Sequence, residues 1–159
     1  MIVLGIDPGT AQTGYGVIKI SKDKEPICLD YGVIKTTKDL KPWERLKKIE
    51  KEFQKLIRKY KPQILAIESL YFFKNAKTII TVSQAKGVIL LTAEKKGLKI
   101  KEFTPLEVKM NICGYGRATK FQIQKMVKNI LKLTKAPYPD DAADALAIAL
   151  SASYLDKIK

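Results

Sequence analysis

Histidine is absent from all 159 residues. That absence removes histidine general bases, Ser-His-Asp triads and histidine-ligated metals together. Cysteine is nearly absent. Cys28 and Cys113 lie far apart with no CxxC partner, so neither a zinc site nor a disulfide framework follows. No apolar run approaches the roughly 20 residues that cross a bilayer. The first residues carry no basic n-region of a signal peptide, so the expected setting is the cytoplasm, with no membrane partner. Acidic residues are scarce as well: 16 Asp+Glu stand against 30 Lys+Arg, for a net charge of +14. Such an excess points to a polyanionic partner, nucleic acid first. The bland reading is a solvated, lysine-rich surface. Chemistry is left to carboxylates, lysines, tyrosines and hydroxyls.

What is present begins with residues 1–16, MIVLGIDPGTAQTGYG. A short β-branched run ends at Asp7, and Pro8 biases Asp7 towards extended geometry. Gly9, Gly14 and Gly16 are expected to allow a tight return into a second strand from Tyr15 to Ile20. A turn aspartate that bonds its own loop amides would explain Asp7 equally simply. A third strand is expected over Ile27–Ile34, making the opening antiparallel. Thr37 or Asp39 is a candidate N-cap, with Pro42 in the first turn of a helix. Trp43, Leu46, Ile49, Phe53, Leu56, Ile57 and Tyr60 then recur at steps of three and four, and Trp43 and Phe53 are read as core. Lys61-Pro62 ends the helix. Gln63–Glu68 is a further strand, parallel to the first because a helix crossover precedes it. If the two strands are neighbours, Asp7 and Glu68 leave the same sheet edge, where α/β sheets place their sites.

Residues 69–75, SLYFFKN, put three successive aromatics beside Lys74. They suit a hydrophobic plug, a subunit contact, or a platform on which a base stacks. Residues 75–96 read as a helix apolar nearly all round, buried in the core or at a dimer interface, with Gly87 permitting close packing. Leu98–Phe103 is a fifth strand. A short helix over Pro105–Met110 leads to the loop CGYGRATK, which carries Arg117 and Lys120, with Lys109 upstream. Thr119 is expected to cap a helix running to about Leu133. Asp140 is expected to cap the last helix, 141–156, on which Asp141 and Asp144 share a face. The macrodipole alone explains Asp140 and Asp141; it explains Asp144, set among alanines, less well. The order βββαβαβ followed by helices predicts one α/β domain over 1–159: a mixed five-stranded sheet, its first three strands antiparallel, flanked by helices.

Asp7, Glu68, Asp141 and Asp144, brought together without histidine, would repel one another and need cations. Hard oxygen ligands suit Mg²⁺ or Mn²⁺. Two such ions about 3.5–4 Å apart clamp the attacking and leaving oxygens of a phosphoryl transfer. The element order with these acids resembles the ribonuclease-H-like superfamily and, within it, the RuvC family of bacterial Holliday-junction resolvases. The residues that carry the resemblance are GIDPGTAQTGYGV at 5–17, AIESLYFFKN at 66–75, QAKGV at 84–88, VK at 108–109, GYGRATK at 114–120 and DAADALAIA at 141–149.

The resemblance implies a homodimeric endonuclease that binds four-way DNA junctions and hydrolyses two opposed strands with Mg²⁺, two ions per site, Mn²⁺ able to substitute. It implies RuvA and RuvB as partners. On matching positions, Asp7, Glu68, Asp141 and Asp144 would be the metal-binding catalytic acids. Tyr71 stands where the family has a base-stacking Phe, and Phe72, Lys74 and Asn75 adjoin it. Lys109 and Lys120 stand at basic positions that contact DNA, with Arg117 between them. Asp140 remains an alternative to Asp141, which only the DAADALA pattern favours. Other readings are a ribonuclease-H-like nuclease with a different substrate, RNA included, and a junction binder without catalysis. GIDPGT also resembles the phosphate loop of actin-like kinases. Those need two such domains, for which this chain is too short.

Overall fold

Ile2–Asp7 (β1) is the middle strand of a five-stranded sheet. The computed structural model describes residues 1–22, 24–70 and 76–155, excluding the side chains of 76, 77 and 155. The elements that follow are β2 (Gln12–Lys19), β3 (Ile27–Lys35), α1 (Pro42–Tyr60), β4 (Ile64–Glu68), α2 (Ala76–Lys95), β5 (Lys99–Phe103), α3 (Pro105–Cys113), α4 (Lys120–Ile130) and α5 (Asp140–Leu155). The strand order is β3-β2-β1-β4-β5. β1 pairs antiparallel with β2 and parallel with β4, and β2 pairs antiparallel with β3. The expected mixed sheet with an antiparallel opening is therefore present. Ile6 lies beside Ile67, so the next residues, Asp7 and Glu68, reach the carboxyl edge together.

Alternation along the strands divides the core between the two sheet faces. Leu4, Ile6, Val17, Leu65 and Ile67 pack with Phe53 of α1 and Ile89 of α2. Val3, Ile18, Ile64 and Ala66 pack with α3, α4 and α5. Small residues let α5 sit very close to the sheet: Ala142, Ala143, Ala145, Ala147 and Ala149 are fully buried.

Local expectations needed correction at several points. β2 starts at Gln12, so Gly14 and Gly16 lie within a strand instead of a turn. Gly9 alone keeps the tight-turn role: a Cβ there would fall 2.1 Å from the Gln12 carbonyl oxygen. Gly14 and Gly16 are small because α5 presses on them. A Cβ at Gly14 would fall 2.0 Å from the Asp141 carbonyl oxygen, and one at Gly5 2.1 Å from that of Ala145.

Trp43 is 66% exposed, not core. At 100° per residue it lies about 80° around α1 from Phe53, off the stripe set by Ile49, Phe53 and Ile57. The N-cap of α1 is Lys41, neither Thr37 nor Asp39. Within the single chain α2 buries one face, which leaves the dimer-interface alternative open for the other. Ala85, Ile89 and Ala93 face the sheet, while Ile80 (65%) and Leu91 (57%) are exposed and Gly87 faces open space. α3 runs on to Cys113, and α4 stops at Ile130. Asp140 is the first residue of α5 rather than its cap; its carboxylate accepts a 2.9 Å hydrogen bond from Gln124 Nε2 of α4.

Candidate metal centre

The carboxyl ends of β1 and β4 deliver Asp7 and Glu68, and the first turns of α5 deliver Asp141 and Asp144. The glycine notch sets the depth at which α5 lies, and with it the reach of both aspartates. One carboxylate oxygen from each of Asp7, Asp141 and Asp144 lies within 4.8 Å of the others. Glu68 lines the same open cavity of about 360 Å³. Val108, Ile123, Ala147 and Ile148 form its apolar wall, and Lys109, Thr119 and Lys120 its polar side. The loop after Asp7 is braced on two sides. Thr13 Oγ1 donates to the Gly9 carbonyl and Thr36 Oγ1 to the Thr10 carbonyl.

Electrostatic stress concentrates on Asp7. Burial pushes its carboxyl up to about 8, with further upward pressure from Glu68, Asp144 and Asp141 and an opposing pull from Lys120. Burial also raises Asp144, against the nearby Lys120 ammonium. Lys120 Nζ stands 3.4 Å from Asp144 Oδ2, and that carboxylate raises the lysine in return. A cluster of oxygen ligands that resists ionisation without positive charge is matched to a hard divalent cation. The donor set therefore fits Mg²⁺ or Mn²⁺, and it offers no soft ligand for zinc or copper.

Geometry thus gathers Asp7, Glu68, Asp141 and Asp144 around one cavity, and Asp141, not Asp140, joins the triad of close oxygens. Lys109 and Lys120 line the cavity. Arg117 is exposed in the loop between α3 and α4, outside the cavity lining. Tyr71, Phe72, Lys74 and Asn75 lie outside the described residues. Sequence reasoning missed the support behind Glu68. Ser69 donates its backbone N–H to Phe103 at 2.8 Å, and its hydroxyl reaches Glu102 at 3.5 Å. Glu102 is ion-paired with the nearly buried Lys86 of α2. The available signal was a lone lysine within an apolar helix, QAKGV.

The family described as crossover junction endodeoxyribonuclease RuvC matches residues 3–152. A protein of that name from Fusobacterium nucleatum is 53% identical over 151 residues, 95% of this chain and 79% of that protein. Another, from Caldicellulosiruptor saccharolyticus, is 53% identical over 150 residues, 94% of this chain and 90% of that protein. Among solved structures, Thermus thermophilus RuvC in complex with Holliday junction substrate superimposes with a TM-score of 0.93 at 32% identity. That match covers 99% of this chain and 96% of the other.

Proposed function

Because the chain belongs to the RuvC family, we propose that it is a crossover junction endodeoxyribonuclease that resolves four-way DNA junctions in recombination and repair. The observation that carries this reading is the convergence of Asp7, Asp141 and Asp144 within 4.8 Å, in a cavity that Lys109 and Lys120 also line. A binder without catalysis gains nothing from half-buried acids that face a polyanion.

Asp7, Asp141 and Asp144, with Glu68, would hold Mg²⁺, two ions per site, with Mn²⁺ able to replace it. Such ions supply an ionised water near neutral pH and a Lewis acid for the departing 3′ oxygen. Holding a cation would require Asp7 in its ionised form. Lys120 exchanges its contact with Asp144 for the scissile phosphate and offsets charge that builds there. Lys109 holds an adjacent phosphate. Hydrolysis leaves a 5′-phosphate and a 3′-hydroxyl. Tyr71, at the family's base-stacking position, would contact the junction, and its neighbours Phe72, Lys74 and Asn75, with the exposed Arg117, would add to that contact.

A homodimer presents two such sites to two opposed strands. The bare Ile80 and Leu91 on α2, with open space at Gly87, supply a helix face suited to a second copy. RuvA and RuvB are the partners the family implies. The 159 residues act as one nuclease domain in the cytoplasm.

The test uses a synthetic four-way junction and a matched linear duplex, with Mg²⁺ or EDTA, for wild type and Asp7→Asn. Paired symmetric nicks in the junction alone are expected, lost with EDTA and in the variant. Junction binding without cutting under any metal would overturn the enzyme reading. Cutting of RNA or plain duplex instead would discard the junction assignment.

A further inference from the structure

The basic residues fall into two blocks. Residues 108–139 contain seven Lys+Arg and no Asp or Glu, and they supply α3 and α4 beside the metal centre. Residues 35–61 contain eleven Lys+Arg against four Asp+Glu. Each block is a net +7, and the rest of the chain is balanced, so the two account for the whole excess of +14. The first block flanks the catalytic cavity. The second cannot serve that cavity, because α1 packs on the opposite face of the sheet from α5.

β3 runs in the same direction as β1, so the chain after Lys35 emerges at the edge that carries Asp7. Thr36 N–H donates to the Ala11 carbonyl at 3.0 Å, which fastens this segment to the loop after Asp7. Here Lys38 and Arg45 line a second cavity of about 350 Å³ between α1 and α2, with Thr10 and Gln84 opposite. Trp43 stands exposed beside it, with Lys41 Nζ 5.6 Å from the ring centroid. Two acids lie nearby and both are engaged. Glu44 accepts the Lys41 backbone N–H at 2.7 Å, and Asp39 is hydrogen-bonded by Thr37. Among the described residues, none of Lys38, Lys41 and Arg45 is in an ion pair; the Arg45 Nε–H donates to the Thr37 carbonyl at 3.0 Å.

We propose that Trp43, Lys38, Lys41 and Arg45 form a second nucleic-acid contact, which takes the backbone of a junction arm on the far side of the sheet edge from the metal centre. This rests on the junction-binding reading above. Cations outside any ion pair, on the loop before α1 and in its first turn, meet phosphates, and a bare indole with a cation at its face is a surface on which a base or sugar packs. A four-armed substrate extends well beyond one cleavage site, so one protomer has an arm to meet on each side of its sheet.

Trp43 is the only tryptophan in the chain, so its emission reports this surface alone. The protein is titrated with a four-way junction in EDTA, and binding is followed in parallel by mobility shift. The expected result is quenching of Trp43 and protection from acrylamide in proportion to the bound fraction. Lys38→Glu with Lys41→Glu should weaken binding several-fold and lower the salt slope by about 2, near 0.9 per phosphate contact. Lys95→Glu with Lys96→Glu makes the same charge change where α2 ends, at the opposite sheet edge, and should have a much smaller effect. Full binding with unchanged Trp43 emission would overturn the proposal, as would equal losses in the two double variants. Emission that follows protein concentration but not junction would assign the surface to a protein contact and overturn it too. A wild type that binds no junction at all fails the function reading itself.

Discussion

Asp7 is a half-buried carboxylate whose ionisation the fold opposes. Its carboxyl is raised from 3.8 to about 8, so between these values the folded protein keeps a proton that the unfolded chain releases. Stability therefore falls as pH rises through that window, because the native state binds the extra proton. Asp7→Asn removes the part of the dependence that Asp7 carries, while Asp144, also raised by burial, keeps its own. Without metal, the variant should melt higher than wild type at pH 8, and the gap should shrink towards pH 5. Each kcal/mol recovered is worth roughly 2–4 °C. Saturating Mg²⁺ should stabilise wild type alone and close or reverse the gap. Melting curves across pH, with and without Mg²⁺, check this; a gap that does not depend on pH would sink the account. Trp43 shows the limit of reading residues one at a time. Its spacing fits the apolar repeat of α1, yet its angle and its place in the first turn leave it in solvent.

At the scale of elements, the metal centre is an agreement between β1, β2 and α5. Gly5, Gly14 and Gly16 let the helix backbone touch the sheet, where any Cβ would collide. Gly5→Ala should force α5 outward and cost at least about 1–3 kcal/mol, the usual range for overpacking. Because Asp141 and Asp144 ride on α5 while Asp7 rides on β1, the same change should weaken Mn²⁺ binding disproportionately. Calorimetric Mn²⁺ titration of the folded variant, with its melting curve, separates the two effects. Unchanged affinity would mean that the helix depth does not set the site. Gly87 of α2 makes the contrast, since nothing lies within 4 Å of a Cβ there. Both are glycines in apolar stretches, and only the neighbouring element tells a notch from an open surface.

At the scale of the whole molecule, charge is the dominant fact. A net +14 spread over two basic blocks predicts junction binding governed by release of counterions. Contact with 6–10 phosphates would lose about 10³- to 10⁵-fold in affinity between 50 and 200 mM salt. Asp7→Asn should keep that steep dependence, because the acids do not hold the phosphates. Titrations at several salt concentrations in EDTA measure the slope, and a shallow one would contradict the polyanion reading. No helix among the described residues is long and apolar enough to cross a membrane.

Much of this was legible in the sequence because the signals are local. Short β-branched runs closed by Asp7 and Glu68, the helical repeat in α1 and the Thr119 cap depend on neighbours within a few positions. The ordered motifs at 5–17, 66–75 and 141–149 carried the family. Tertiary structure decided what depends on partners distant in the chain. It made Gly14 and Gly16 contacts for α5 instead of turn residues, turned Asp140 towards Gln124 and Asp141 towards Asp7, and left one face of α2 bare. Periodicity states which residues share a face. What that face meets is decided only when another element is packed against it, and here α5 against the glycines of β1 and β2 gathers the scattered aspartates into one site.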